Sequence, residues 1–536
     1  MKLGKECLSI LTLLAIFASL LVAFEEKIDY RMIDKIRDEG FQRSQVMEIA
    51  SYMTDVLGPR FSNSPGYTKA AEWAKNKFQE FGIRAELEDY GEIGPGWENR
   101  YTSVHMHKPQ YMTLIAYPLP YSRGTEGKVV SNVVVVNTEE IFSMADLDEF
   151  KGKLRGKIVF TKPKRELGLN FNPAAVRLSD EELDGMAELK IIAPKKSEEV
   201  SQKPYGMSDK NGERSQNKPL DEEKMREFFE EEGVAAVIEP GGPQGPAPMD
   251  KGLVHVSAPR PLKKGGPKPL PTLIVSAEHY NRIMRIMEWG IDVEMEVETR
   301  IFFDEDDLRD FNVIAEIPGS DLKDEIVMIG GHYDGEPSGT GATDNASGCA
   351  AVMEAMRILK TVGAKPRRTI RAALWGCEEA GHLGSSAYVK KHFGGPDDQS
   401  KLPDHDRLSV YFNMDWYGRF RGIYLQGNDL VRPIFEAWMK PFHDVGMTHI
   451  VPGNTGGTDH MDFVRAGLPG FQFIQDDLEF FTTTFHTNMD VYDRLVPEDL
   501  MQASVILACF AYNAAMRDQK LPRTPNQMEN NRRWHK

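Results

Sequence analysis

The sequence predicts an α/β fold, a mostly parallel mixed sheet sandwiched by helices, with a second, β-rich module inserted into it. Two observations carry that reading. From Phe311 onward, short apolar runs ending near Gly331, Gly376, Met414 and Gln475 alternate with helical stretches, the pattern of a parallel sheet covered on both faces. Between residues 121 and 304 the pattern changes to short strands, Gly/Pro-rich loops and a period-two alternation over 291–297, as in a sheet with one wet face. No period of about 20–50 residues repeats, which excludes a solenoid or propeller.

Each element has a local cause. Val46, Ile49, Met53, Val56 and Leu57 fall on one helical face, and Gly58-Pro59 stops that helix. A second helix runs from Tyr67 to Phe81 and ends at Gly82. In the inserted module, 131–136, 154–161 and 233–238 read as buried strands, and 221–232 as a helix. Residues 165–222 are otherwise polar and charge-mixed, a long excursion rather than a packed element. Past Phe311, residues 346–361 place Cys349, Val352, Met353, Met356 and Leu359 on one helical face.

Composition narrows the function. The 536 residues are 41% hydrophobic and 27% charged, ordinary for a folded protein with a large core of its own. Lys and Arg number 65 against 81 Asp and Glu, a net charge of −16 with no basic run longer than a few residues. A nucleic-acid partner is therefore not expected. The four cysteines, Cys7, Cys349, Cys377 and Cys509, are too few for a disulfide scaffold.

The chain opens with Lys2 and Lys5, turns apolar from Leu8 to Phe24, then breaks at Glu25-Glu26-Lys27. That is the pattern of an export signal, although about 17 apolar residues can also just span a bilayer. Residues 1–24 are read as a signal peptide or anchor, predicting a secreted or periplasmic protein that meets a membrane only if the segment is uncleaved. Residues 25–120 and 305–518 form the two parts of one domain, 121–304 the insertion, and 519–536 a flexible tail.

The residues that follow each apolar strand carry the chemistry. His332 and Asp334 follow the first strand, Glu378 and Glu379 the second, Asp415 the third, and His486 comes after the fourth. A Gly-rich loop brings Asp344 and Asn345 to the start of the next helix. In open α/β sheets ligands bind just beyond the carboxyl ends of the strands. Two histidines and three carboxylates there suit a pair of divalent ions, most simply zinc, sharing one bridging carboxylate. One of Glu378 and Glu379 faces the metals and the other moves protons. Asp334 is placed to orient His332. His382, His392, His405, His443 and His449 read as solvated or capping residues. Asp459 and His460 can reach the pocket or belong to plain loop chemistry. No Gly-Lys-Ser/Thr follows the Gly-rich loop, and no Gly-x-Ser-x-Gly elbow occurs, so phosphate-cradle and serine-hydrolase chemistry lack their parts. Cys377, at a strand end, reads as an inert core thiol.

The order His332-x-Asp334, Asp344-Asn345, Glu378-Glu379, Asp415, His486 resembles the secreted di-zinc exopeptidases of the aminopeptidase Y and carboxypeptidase Q type. The insertion resembles the protease-associated domain that such enzymes carry. The resemblance implies one zinc on His332, Asp344 and Asp415, and a second on Asp344, Glu379 and His486. It implies Glu378 as general base and then general acid beside a metal-bridging hydroxide, with Asp334 orienting His332. It departs at Phe485, where several relatives place a tyrosine that helps the oxyanion; either His460 substitutes, or the zinc ions alone carry that charge. The function expected is hydrolysis of a peptide substrate near its terminus, by aminopeptidase or dipeptidase action. The alternatives are a carboxypeptidase acting on small peptides, a glutaminyl cyclase-like enzyme, and a non-catalytic receptor-like module.

Overall fold

The computed structural model describes residues 26–188, 219–242, 251–394 and 401–524. The segment read as a signal or anchor, and residues 525–536 of the expected tail, lie outside the described residues. Sixteen strands organise what is described. They are β1 (Arg84–Glu92), β2 (Gly96–Lys108), β3 (Met112–Thr113), β4 (Ala116–Pro118), β5 (Val129–Val135), β6 (Ile158–Phe160), β7 (Ala236–Pro240) and β8 (Thr272–Val275). The second half of the chain adds β9 (Glu294–Asp304), β10 (Arg309–Ile317), β11 (Leu322–His332), β12 (Arg368–Trp375), β13 (Leu408–Asn413), β14 (Phe420–Tyr424), β15 (His449–Val451) and β16 (Gly470–Gln475).

They form two sheets of eight strands, and only one carries the candidate site. Its order is β1-β10-β12-β11-β13-β16-β14-β15. The central four, β12, β11, β13 and β16, are parallel neighbours, so their carboxyl ends share one edge. Both faces are buried, and the side chains alternate between them as strand geometry requires. On β11, Val327 and Ile329 join one core while Ile326 and Met328 join the other. The first core lies under the helices Ser347–Thr361 and Pro497–Met516; the second lies under Leu383–His392 and His460–Arg465. Pro497–Met516 is long and apolar enough to cross a membrane, yet 89% of its most apolar stretch is buried inside the protein. A helix wrapped on all sides by core is apolar all round for that reason.

The second sheet runs β3-β2-β9-β5-β6-β7-β8-β4. β2 pairs along β9 from Gly96 to Lys108, so this sheet takes in residues from Gly96 onward. The strands expected at 131–136, 154–161 and 233–238 appear as β5, β6 and β7, each shifted or shortened at its ends.

Other departures have local causes. The first helical pattern holds through Met53, but the helix widens into a π turn at Tyr52–Val56, and Val56 rotates outward to 53% exposure. Part of the polar excursion is docked, not loose. Arg177 reaches the buried Asp476 and Asp499 at 2.7 and 2.8 Å, and Leu183 packs on Val451 and Ile474. The chain is likewise anchored through residue 524: Leu521 is buried, and Arg523 donates to the carbonyls of His405 and Leu408.

Candidate metal centre

The geometry follows from the strand ends. His332 closes β11, Glu378 and Glu379 follow β12, and Asp415 follows β13. Asp344 precedes the helix Ser347–Thr361, and His486 lies in the loop after β16. The structure brings all of them together. Asp344 is central: its Oδ1 lies 3.1 Å from His332 Nε2, and its Oδ2 lies 3.4 Å from His486 Nε2. Each imidazole nitrogen also meets a second carboxylate. Asp415 Oδ1 is 3.1 Å from His332, and Glu379 Oε2 is 2.9 Å from His486.

Asp334 holds the turn that carries the two glutamates. It accepts the backbone N–H of Glu378 at 3.1 Å and of Glu379 at 3.2 Å, and the Ser62 hydroxyl at 2.7 Å. Its Oδ1 lies 3.6 Å from His332 Nδ1, beyond hydrogen-bond length. Glu378 points elsewhere from its neighbour, with Oε1 3.2 Å from His382 Nε2. Asp344 is free of a capping role because Asn345 takes it. The Asn345 Oδ1 accepts the Gly348 N–H at 3.0 Å, while its Nδ2 donates to the Met414 carbonyl at 2.9 Å. Asp490 accepts the N–H of Thr343 and of Asp344, fixing the loop from behind.

The electrostatics are those of a crowded, dry cluster. Burial opposes charge on His332 and His486, but the carboxylates around each outweigh it and hold both imidazoles well above their ordinary pKa. Burial raises Asp344 too, yet the two imidazoles overcome it and hold that carboxyl well below its usual range. Glu378 and Glu379 are raised, chiefly by burial. Buried atoms here lack hydrogen-bond partners, namely His332 Nδ1, Glu379 Oε1 and Glu336 Oε2, an arrangement that is costly unless something else engages them. Ligand atoms of His332, Asp344 and Glu379 lie within 4.8 Å of one another, as do those of Glu336, Glu379 and His486. Imidazole nitrogens and carboxylate oxygens at this density fit divalent cations.

Several contributors escaped sequence reasoning. Glu336, in the loop after β11, is buried beside His486 and Glu379. His382, expected to be solvated, instead touches Glu378 and lies 3.6 Å from Asp462. These two carboxylates overcome burial and push its pKa up to about 11. His392 pairs with Glu88, and His405 is buried against the Ala466 carbonyl. Arg60, fully buried, donates to the carbonyls of Tyr333, Thr340, Gly341 and Met53. From the second module, residues 254–258 pair with the segment that bears His486: Val256 N–H donates to the His486 carbonyl at 2.9 Å. The Ser257 hydroxyl lies 2.9 Å from His486 Nδ1, and the His255 ring stacks on His486 at 5.6 Å. A motif two residues wider, His-x-Asp-x-Glu, would have flagged Glu336. Nothing local signals the 254–258 contact.

Phe485 packs flat on its neighbour His486, with ring centroids 3.8 Å apart. His460 Nε2 is occupied by the Thr455 carbonyl and the Gln426 side chain, at 3.1 and 3.0 Å. Asp459 is fully buried, and both its oxygens lack a hydrogen-bond partner. Cys377 is buried, with its thiol raised well above normal by that burial, the state of an unreactive thiol.

A parallel sheet whose carboxyl edge gathers two imidazoles around a shared carboxylate defines an α/β protein with a candidate cation centre. Residues 312–511 match the model of peptidase family M28. It is 25% identical over 490 residues to carboxypeptidase Q of Mus musculus, covering 90% of this chain and 88% of that protein. Its fold is shared with a peptidase M28 precursor from Shewanella amazonensis at a TM-score of 0.62 and 24% identity, over 92% of this chain and 98% of the other. It is also shared with a zinc aminopeptidase from Bacillus subtilis at a TM-score of 0.54 and 18% identity, over 89% and 96%.

Proposed function

We propose that this protein is a zinc-dependent exopeptidase of two zinc ions, acting as an aminopeptidase or dipeptidase. The observation that carries the reading is Asp344, whose two oxygens each face a different imidazole, each imidazole having a further carboxylate of its own. His332, Asp344 and Asp415 would hold one ion, and Asp344, Glu379 and His486 the other. Ions bound there would polarise a carbonyl and acidify water.

The chain's own residues supply the rest. Glu378 takes no part in the Asp344 pairings, and its raised pKa suits a group that accepts a proton from water and returns it to the leaving amine. Asp334 keeps Glu378 and Glu379 on opposite tasks by accepting both of their backbone N–H groups. The carboxylates gathered around Glu378 and Asp344 would seat a free α-ammonium, which favours action at the amino end. Carboxypeptidase action on small peptides is the second reading, favoured by similarity to carboxypeptidase Q along most of the chain. The β-rich module fits a protease-associated insertion. The charged start and apolar run of residues 1–24 support a secreted or periplasmic location, as a signal or as an anchor.

The test is Glu378→Gln. The variant should lose at least a thousandfold in turnover of aminoacyl and dipeptide substrates and still carry two zinc ions per chain by elemental analysis. Full activity in that variant removes the assigned role, and a wild-type protein that binds no zinc removes the whole reading.

A further inference from the structure

We infer that Glu336 is an additional ligand of the cation held by Glu379 and His486, pinned in place by the inserted module. The inference rests on the reading of the cluster as a cation centre, and it adds a residue that the strand-end pattern does not contain.

Glu336 lies four residues beyond His332 and is 4% exposed. Its Oε1 accepts the Ala258 N–H at 2.7 Å, so one end of the carboxylate is tied to the second module. Its Oε2 is buried and has no hydrogen-bond partner. The same is true of Glu379 Oε1. Ligand atoms of Glu336, Glu379 and His486 lie within 4.8 Å of one another. Two buried carboxylates each presenting an unengaged oxygen beside one imidazole are expensive as they stand, and one cation shared among the three satisfies every member. A purely structural glutamate would not leave its second oxygen bare.

The two cation sites then differ. The His332 site has two carboxylates and one imidazole. The His486 site has three carboxylates, one imidazole, and an outer partner for each of two ligands: Ser257 on His486 and Ala258 on Glu336. A fourth protein ligand would make the His486 cation the tighter of the two. The module's 254–258 segment is part of what holds the tighter cation.

The experiment titrates zinc into the chelator-stripped full chain by calorimetry, for wild type, Glu336→Gln and Glu336→Asp. Wild type should bind two ions in two resolved events. Glu336→Gln should weaken the tighter event at least tenfold and leave the other within threefold, with Glu336→Asp in between. Thermal melting of the stripped proteins checks that the variants fold. Should they not, a crystal structure of zinc-loaded wild type decides instead, with a Glu336 oxygen about 2.0–2.2 Å from an ion expected. Unchanged affinities in Glu336→Gln overturn the inference, as do Glu336 oxygens more than 3 Å from both ions. Unchanged zinc affinity with a raised KM for free-amine substrates also overturns it, placing Glu336 on the substrate's ammonium. Wild type binding no zinc defeats the cation centre itself, while wild type binding two ions with Glu336→Gln unaltered defeats this inference alone.

Discussion

Replacing Arg60 with methionine should destabilise the stripped protein by about 3–5 kcal/mol and weaken zinc binding at both sites. The guanidinium is fully buried and donates to the carbonyls of Tyr333, Thr340, Gly341 and Met53, at 2.7, 2.9, 2.9 and 3.3 Å. Methionine fills similar length with no donor. A hydrogen bond from a charged donor contributes about 1.5–3 kcal/mol, and a stranded buried carbonyl costs about 1–3. The plain sum overshoots for two reasons. Gly341 keeps a second donor in the Ala346 N–H at 2.9 Å, and removing the guanidinium also removes the cost of burying its charge. Function is touched because Tyr333 adjoins His332 and Gly341 lies three residues before Asp344; Arg60 clamps the strand end to the loop. Urea unfolding of stripped wild type and variant measures the first effect, and zinc competition with a chromogenic chelator the second. A loss below 1 kcal/mol together with unchanged zinc affinity would refute the clamp.

Ser257→Ala removes the partner of His486 Nδ1 and should weaken zinc binding about 10- to 100-fold, read by the same competition; a change under threefold would show that the contact does not tune the ligand. Zinc loading should also release protons. Burial alone would lower His332 and His486, but the surrounding carboxylates outweigh it and raise both imidazoles well above their ordinary pKa in the stripped protein, favouring their protonated forms. A cation must displace those protons, so affinity falls as pH falls. At pH 7 the calorimetric enthalpy should change with the ionisation enthalpy of the buffer, and a buffer-independent enthalpy would contradict the assignment.

The sheet, the shared carboxylate and the four residues around it were legible because their causes are local. Apolar runs mark strands, and strand ends in a parallel sheet must converge. The grouping of His332, Asp344, Asp415, Glu379 and His486 needs nothing more. What stayed hidden depends on contacts across the chain. Ser257 and Ala258 reach the site through a segment more than 200 residues from His486 and fewer than 80 from Glu336, with no periodicity to announce it. His382 looked solvated because it stands in a polar loop, yet its left-handed backbone turns the ring toward Glu378. The place of β2 in the second sheet was not legible because it carries little apolar alternation; its identity as a strand comes from pairing with β9.

The antiparallel union of β1 with β10 also has a consequence for biogenesis. Residues 93–308 emerge between these two strands, so β1 waits for its neighbour while the entire second module is translated. At 5–20 residues per second that delay is roughly 10–40 s, during which the sheet's outermost ribbon has no template to zip onto. The inserted module has time to collapse first, and the half that bears the candidate site closes around a neighbour that is already built.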